Sequence, residues 1–159
     1  MTAPVAVATR VATTDDLDFL ADAHRLGHRA VADARGGELD TLLRGRAEPI
    51  AETFQDDLDN ASSHIWVATA DGLAVGYLVA KAIDLRSGET MLRVVDLWVH
   101  PEARGIGLGS ALMNNALDLA KAHSMVGVDA RALPGDRVTK NFFETFGLVA
   151  RAIEVFRRL

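Results

Sequence analysis

With 159 residues, 49% of them hydrophobic, the chain is sized for one domain spanning 1–159 with a real core. Its 17 Lys and Arg against 22 Asp and Glu leave a net charge of −5 and no basic run of five or more, so neither nucleic acid nor membrane is an expected partner. The absence of cysteine excludes disulfides, thiolate catalysis and cysteine-ligated zinc, and fits a reducing cytoplasm.

The opening MTAPVAVATR lacks the basic flank and long apolar core of a signal peptide, which points to a soluble cytoplasmic protein. VAVATRVAT (5–13) reads as a strand, and Thr14 with Asp15 and Asp16 supplies the cap and acidic first turn of a helix carrying Leu17, Leu20 and Ala21 toward Val31. Gly36-Gly37 ends it. Glu38 to Pro49 has no clear period and reads as a loop or a short helix, before a second helix near 48–60. HIWVATA (64–70) and LAVGYLVAKAI (73–83) are strands joined by Asp71-Gly72, a strong hairpin signal. MLRVVDLWVH (91–100) completes an antiparallel meander after the turn at Ser87-Gly88.

Beyond His100-Pro101 the apolar period changes from two to about 3.6. Leu108, Leu112, Ala116 and Leu119, widened by Met113 and Ala120, predict an amphipathic helix over 107–122. MVGVDARA (125–132) is a further strand, so the strand, helix, strand order implies a parallel pairing. Pro134-Gly135-Asp136 opens a last helix with Val138, Phe142 and Phe146 on one face and Gly147 as its cap, and ARAIEVFRRL (150–159) reads as a closing strand.

Gly105, Gly107 and Gly109 stand at alternate positions where the first turn of the 107–122 helix begins. The amide N–H groups of such a turn have no intrahelical partners and favour an anion. Without side chains in the way, a diphosphate can reach the backbone, with Arg104 and Ser110 adding a charge and a hydroxyl; the plainer reading is a tight strand-to-helix connection. The spacing G-x-G-x-G is not the G-x-G-x-x-G of a dinucleotide fold, and no Lys-Ser or Lys-Thr follows to make a nucleotide triphosphate loop.

Arg104-Gly105-Ile106-Gly107-Leu108-Gly109 resembles the R/Q-x-x-G-x-G/A signature of the GNAT superfamily, the acetyl-CoA-dependent N-acyltransferases. LWVHPEA before it, FFETFGL (142–148) and TRVATTDDLDFL are similar to that family's other segments, so the resemblance covers nearly the whole length. It implies an α/β (α+β) fold: a mixed sheet splayed between its fourth and fifth strands, flanked by about four helices. It also implies acetyl-CoA as cofactor, its pantetheine arm bound by the backbone of Leu97, Trp98 and Val99. Its diphosphate would lie on Arg104, Gly105, Ile106, Gly107, Leu108, Gly109 and Ser110.

Asp96, beside that thioester position and interrupting a run of Val and Leu, is the candidate base; the alternative is an acid paired with Arg93 or solvated. Where relatives carry a tyrosine able to protonate the thiolate this chain has Phe143, and Asp136 and Thr139 replace the family's asparagine and alanine. Tyr77 reads as a packed ring with a wet hydroxyl, and Arg137 and Lys140 as solvated charges or contacts to a 3′-phosphate. His24 and His28, four apart on a helix, suit a metal in spacing, but Arg25 replaces the glutamate of H-E-x-x-H and no third ligand is evident, so none is expected. Asp56, Asp57 and Asp59 have two readings, an attractor of a cationic amine and, more often for such a run, a helix's wet face. Together these features predict an N-acetyltransferase acting on a small-molecule or peptide amine by direct attack in a ternary complex, in a chain whose apolar last strand suits a homodimer. The rival is a noncatalytic acyl-CoA-binding regulatory module on the same fold.

Overall fold

The structure is a computed structural model and describes residues 4–159. Five strands form one sheet in chain order: β1 (Val7–Val11), β2 (Ser63–Ala70), β3 (Leu73–Asp84), β4 (Thr90–Val99) and β5 (Val128–Asp129). All neighbours are antiparallel except β4 and β5, which run parallel as their crossover helix requires. Among the described residues there are five α-helices: α1 (Leu17–Ala32), α2 (Gly37–Arg44), α3 (Ile50–Asp59), α4 (Leu108–Ala122) and α5 (Arg137–Thr145). The fifth arises because the stretch without clear period, Glu38 to Pro49, holds all of α2 but its first residue. Among the described residues, no helix is long and apolar enough to cross a membrane.

The sheet buries both faces. One packs Trp66, Ala68, Leu78, Leu92 and Val94 against Leu108, Leu112, Met113 and Ala116 of α4 and Phe143 of α5. The other packs Ile65, Val67, Tyr77, Val79 and Trp98 against Leu20 and Ala23 of α1 and Phe54 of α3. The β2–β3 turn is tight because Asp71 and Gly72 both take the left-handed conformation, at φ 48° and 82°.

A bulge in β4 decides which face each of its later residues meets. Val79 pairs with Asp96 and Ala80 with Val94, so Val95 stands without an opposite and is exposed. Before it Leu92 and Val94 point to α4; after it Leu97 and Val99 do, while Trp98 turns to α1 and α3. Strict alternation would have sent Asp96 to the α4 side. The single extra residue sends it to the α1 side.

Several expectations are corrected. The strand over 125–132 shrinks to β5, which pairs only Leu92 with Val128 and Arg93 with Asp129. Residues 150–159 form no strand; Ile153 and Val155 are exposed, and the segment is held by ion pairs of Arg151 with Asp129 and of Glu154 with Arg44 and Arg131. Without a ladder partner, an alternating pattern has no sheet face to bury, and the dimer role read into that strand loses its basis. On α5 the buried residue is Phe143, with Phe142 and Phe146 partly buried beside it, and Val138 is solvent-exposed. The cap at the start of the first helical segment is Thr13, whose N–H donates to Asp16 at 2.8 Å, one residue before Thr14.

Candidate active site

The end of β4 and the start of α4 enclose an open edge. β5 stops after Asp129, so β4 runs on from Val94 to Val99 without a neighbouring strand on that side among the described residues. The His100 N–H bonds the Val75 carbonyl on β3 at 2.7 Å. By strand alternation, the N–H and C=O groups of Leu97 and Val99 then face the gap, while those of Trp98 face β3. Arg104 reaches back to this edge, its Nε donating to the Val99 carbonyl at 3.0 Å.

The glycine loop follows directly. Gly105 and Gly107 have φ of 82° and 88°, a conformation that costs an L side chain about 1–2 kcal/mol, and a Cβ at either would meet nothing within 4 Å. Both face open space. Gly109 differs: its Cβ would stand 3.5 Å from the Phe142 ring, so it brings α5 close to α4. The first bond of α4 is Ala111 N–H to Gly107 C=O, and among the described residues no N–H from Gly105 to Ser110 is bonded to another part of the main chain.

Across the sheet, Asp96 is held by two donors. Its Oδ2 accepts the Tyr77 hydroxyl at 2.5 Å and lies 2.9 Å from His24 Nδ1. The Arg46 backbone N–H donates to His24 Nε2 at 3.1 Å, which places the imidazole proton on Nδ1 and makes the ring a donor to Asp96. Oδ1 has no hydrogen bond among the described residues, and the side chain keeps 19% exposure. The Arg93 alternative fails because Arg93 pairs with Asp129.

Tyr77 is corrected from a wet hydroxyl to a buried one; burial and the neighbouring Asp96 carboxylate push its pKa well above the ordinary phenol value. Asp57 is likewise no wet-face acid: it is buried, bonded by Arg46 at 2.6 Å and Lys81 at 2.7 Å. Lys140 pairs with Glu144 at 2.5 Å, and Asp136 caps α5 by accepting the Thr139 N–H at 3.0 Å, which accounts for both departures on that helix.

His24, His28 and Asp96 offer ligand atoms within 4.8 Å of one another, so the third ligand that the sequence did not reveal exists in space. Their bonding does not suit a metal. Coordination through His24 Nδ1 would move its proton to Nε2, against the Arg46 N–H already pointing there. Sequence reasoning gave His24 no part beside Asp96, although its place in the helical stripe of Leu17, Leu20 and Ala21 marks it as an inward-facing polar group.

Residues 35–148 match the acetyltransferase (GNAT) family. This chain is a GNAT acetyltransferase family member. The GNAT match spans the sheet from β2 to β5 with the glycine loop and α4. Solved structures agree in fold: the BH1408 protein of Bacillus halodurans, as a tetramutant, is 20% identical with TM-score 0.81, covering 96% of this chain and 99% of that one. A ribosomal-protein-alanine N-acetyltransferase from Brucella melitensis is 17% identical with TM-score 0.71, covering 97% and 99%. An aminoglycoside acetyltransferase from an uncultured soil metagenomic sample is 15% identical with TM-score 0.74, covering 96% of each chain. Comparison with curated proteins finds no match. GNAT membership supports acyltransferase activity, and the family generally uses acetyl-CoA.

Proposed function

We propose that this chain is an N-acetyltransferase that passes an acetyl group from acetyl-CoA to a primary amine with both bound together, in the cytoplasm. One observation carries the reading: a glycine-rich loop with unspent N–H groups, open above Gly105 and Gly107, lies beside a β4 edge that β5 leaves unpaired. The two features fit coenzyme A chemically. The diphosphate is served by the N–H groups of Gly105, Ile106, Gly107, Leu108, Gly109 and Ser110 at the positive end of α4, with Arg104 alongside. The pantetheine amides are served by the main-chain groups of Leu97 and the N–H of Val99, which would otherwise stay unpaired, while the Val99 carbonyl is already bonded by Arg104. Phe143, buried on α5 in the core cluster that α4 shares with the sheet, offers apolar contact and no proton.

Acetyl-CoA when bound supplies an acyl thioester, whose thiol has a pKa near 8.5 and leaves as a thiolate without a dedicated acid. An ammonium acceptor with a pKa of about 10.4 must first lose a proton, at a cost of about 4–5 kcal/mol at pH 7. Asp96 takes that proton at its free Oδ1. His24 and Tyr77 are positioning residues, acting through Oδ2 to fix the rotamer of the carboxylate. Holding the two reactants together contributes more than the base, about 7–11 kcal/mol against a factor of about 10²–10⁴. With no cysteine in the chain, no acyl-enzyme thioester intervenes.

The test combines calorimetric titration of acetyl-CoA with thiol release across an amine panel. The enzyme should bind acetyl-CoA and acetylate at least one amine; Asp96→Asn should lose about 10²–10⁴ in turnover with coenzyme affinity unchanged. Undiminished acetylation by Asp96→Asn overturns the role of Asp96. Binding without transfer to any amine would favour a noncatalytic acyl-CoA-binding module.

A further inference from the structure

Among the described residues, two buried side-chain polar atoms have no hydrogen-bond partner: His28 Nδ1 on α1 and Thr41 Oγ1 on α2. The helices are different, yet both side chains line one cavity of about 590 Å³. That volume suits a small molecule. On the same walls the His24 Nε2 is matched by the Arg46 N–H, so two unpartnered polar atoms on residues that line one space mark where a ligand's donors and acceptors are missing.

The charges around the cavity narrow the class. Glu48 is already taken by Arg25, through contacts of 3.1 and 3.0 Å, and by the Ile50 N–H at 3.2 Å. Arg46 is held by Asp57 and lies over the Phe54 ring at 3.8 Å. Arg29 also lines the cavity and, among the described residues, has no carboxylate partner. What remains is one uncommitted guanidinium, two uncommitted neutral groups and no uncommitted carboxylate. His24, which lines the same cavity, bonds Asp96 on its other side.

We infer that this cavity receives the acceptor of the proposed transferase, on which the inference rests, and that it selects an amine that also carries a carboxylate. Arg29 meets the carboxylate, and His28 and Thr41 meet the acceptor's hydrogen-bonding groups. A neutral imidazole is the form His28 holds there, since burial first and the neighbouring His24 second lower its pKa. A polycation, such as a polyamine, finds no free acid on these walls.

The probes are L-threonine, the dipeptide threonylalanine, L-threoninamide and spermidine, each titrated into the full chain while the His28 ring resonances are followed, assigned through His28→Gln. A carboxylated probe should bind about tenfold or more tighter than the amide. Which of the two does so tells a free amino acid from a peptide. Arg29→Gln should erase the difference between acid and amide, and Thr41→Val should weaken the acid several-fold while leaving coenzyme A affinity unchanged. Equal affinity for acid and amide, tighter binding of spermidine, or unmoved His28 signals with every probe overturns the inference. These titrations need no acetyl transfer, so a failure to bind acetyl-CoA in a separate titration counts against the transferase and not against this selectivity.

Discussion

His24 Nδ1 lies 2.9 Å from Asp96 Oδ2, across 72 residues of sequence, and the Arg46 N–H on the far side of the ring fixes the direction of that bond. The imidazole is 4% exposed and packs edge-on against Phe54, so it is both a hydrogen-bond bridge and core filling. His24→Ala leaves the Arg46 N–H unpaired and opens a cavity, and should cost about 2–4 kcal/mol in a urea titration. Its turnover should fall further than its coenzyme affinity. A variant as stable as the parent would show that the bridge is not structural.

Tyr77 donates to the same carboxylate oxygen. Tyr77→Phe leaves Asp96 with its His24 donor and should cost about 1 kcal/mol of stability. Because burial and Asp96 push the phenol pKa well above its ordinary value, the hydroxyl stays protonated through the working range. The alkaline limb of the pH–rate profile should therefore be the same in Tyr77→Phe as in the parent, and a displaced limb would give Tyr77 a proton-transfer role.

Asp57 supplies the pH dependence. Burial raises its pKa, but the hydrogen bonds from Lys81 and Arg46 outweigh burial and the net shift is downward. A carboxylate whose folded pKa lies below its unfolded value of about 3.9 stabilises the fold fully above that value, and the contribution is lost as pH falls through the folded pKa. Asp57→Asn should cost about 3 kcal/mol at pH 7, since it strands Arg46 in a mostly buried site, and the gap to the parent should narrow below about pH 4. Chemical denaturation at both pH values checks the sign; a gap that widens in acid contradicts it.

Gly27 has a packing reason visible only in three dimensions: a Cβ there would stand 2.9 Å from Cδ1 of Trp98. Gly27→Ala must move the indole or α1, and should cost about 1–3 kcal/mol despite the better helix propensity of alanine. A rise in the denaturation midpoint would mean that the ring yields freely.

The parts legible in the sequence were those set by local rules. The Asp71-Gly72 turn, the amphipathic period of α4 and the glycine loop each follow from conformations or spacings within a few residues, and the structure has them where the pattern lies. Asp96 could be picked out as an acid in an apolar strand, but its surroundings could not. The bulge at Val95 inserts one residue into β4 without any glycine or proline to announce it, and so reverses the face on which Asp96 emerges. Its partners His24 and Tyr77 come from α1 and β3, and the Arg46–Asp57–Lys81 cluster joins three segments, so no window of sequence contains them. The last ten residues misled for the opposite reason: a good alternating pattern at Ile153 and Val155 met no strand to pair with.

The central claim is that the bare main chain opening α4 holds the coenzyme's diphosphate, and Gly107, at φ 88° with open space above it, is where a single methyl tests it. Calorimetric titration of coenzyme A into the parent and into Gly107→Ala should show binding by the first and a loss of about tenfold or more in the second, from a strained backbone and an obstructed cradle together. Equal affinity in the two proteins, or no binding to the parent at millimolar coenzyme A, would contradict the account.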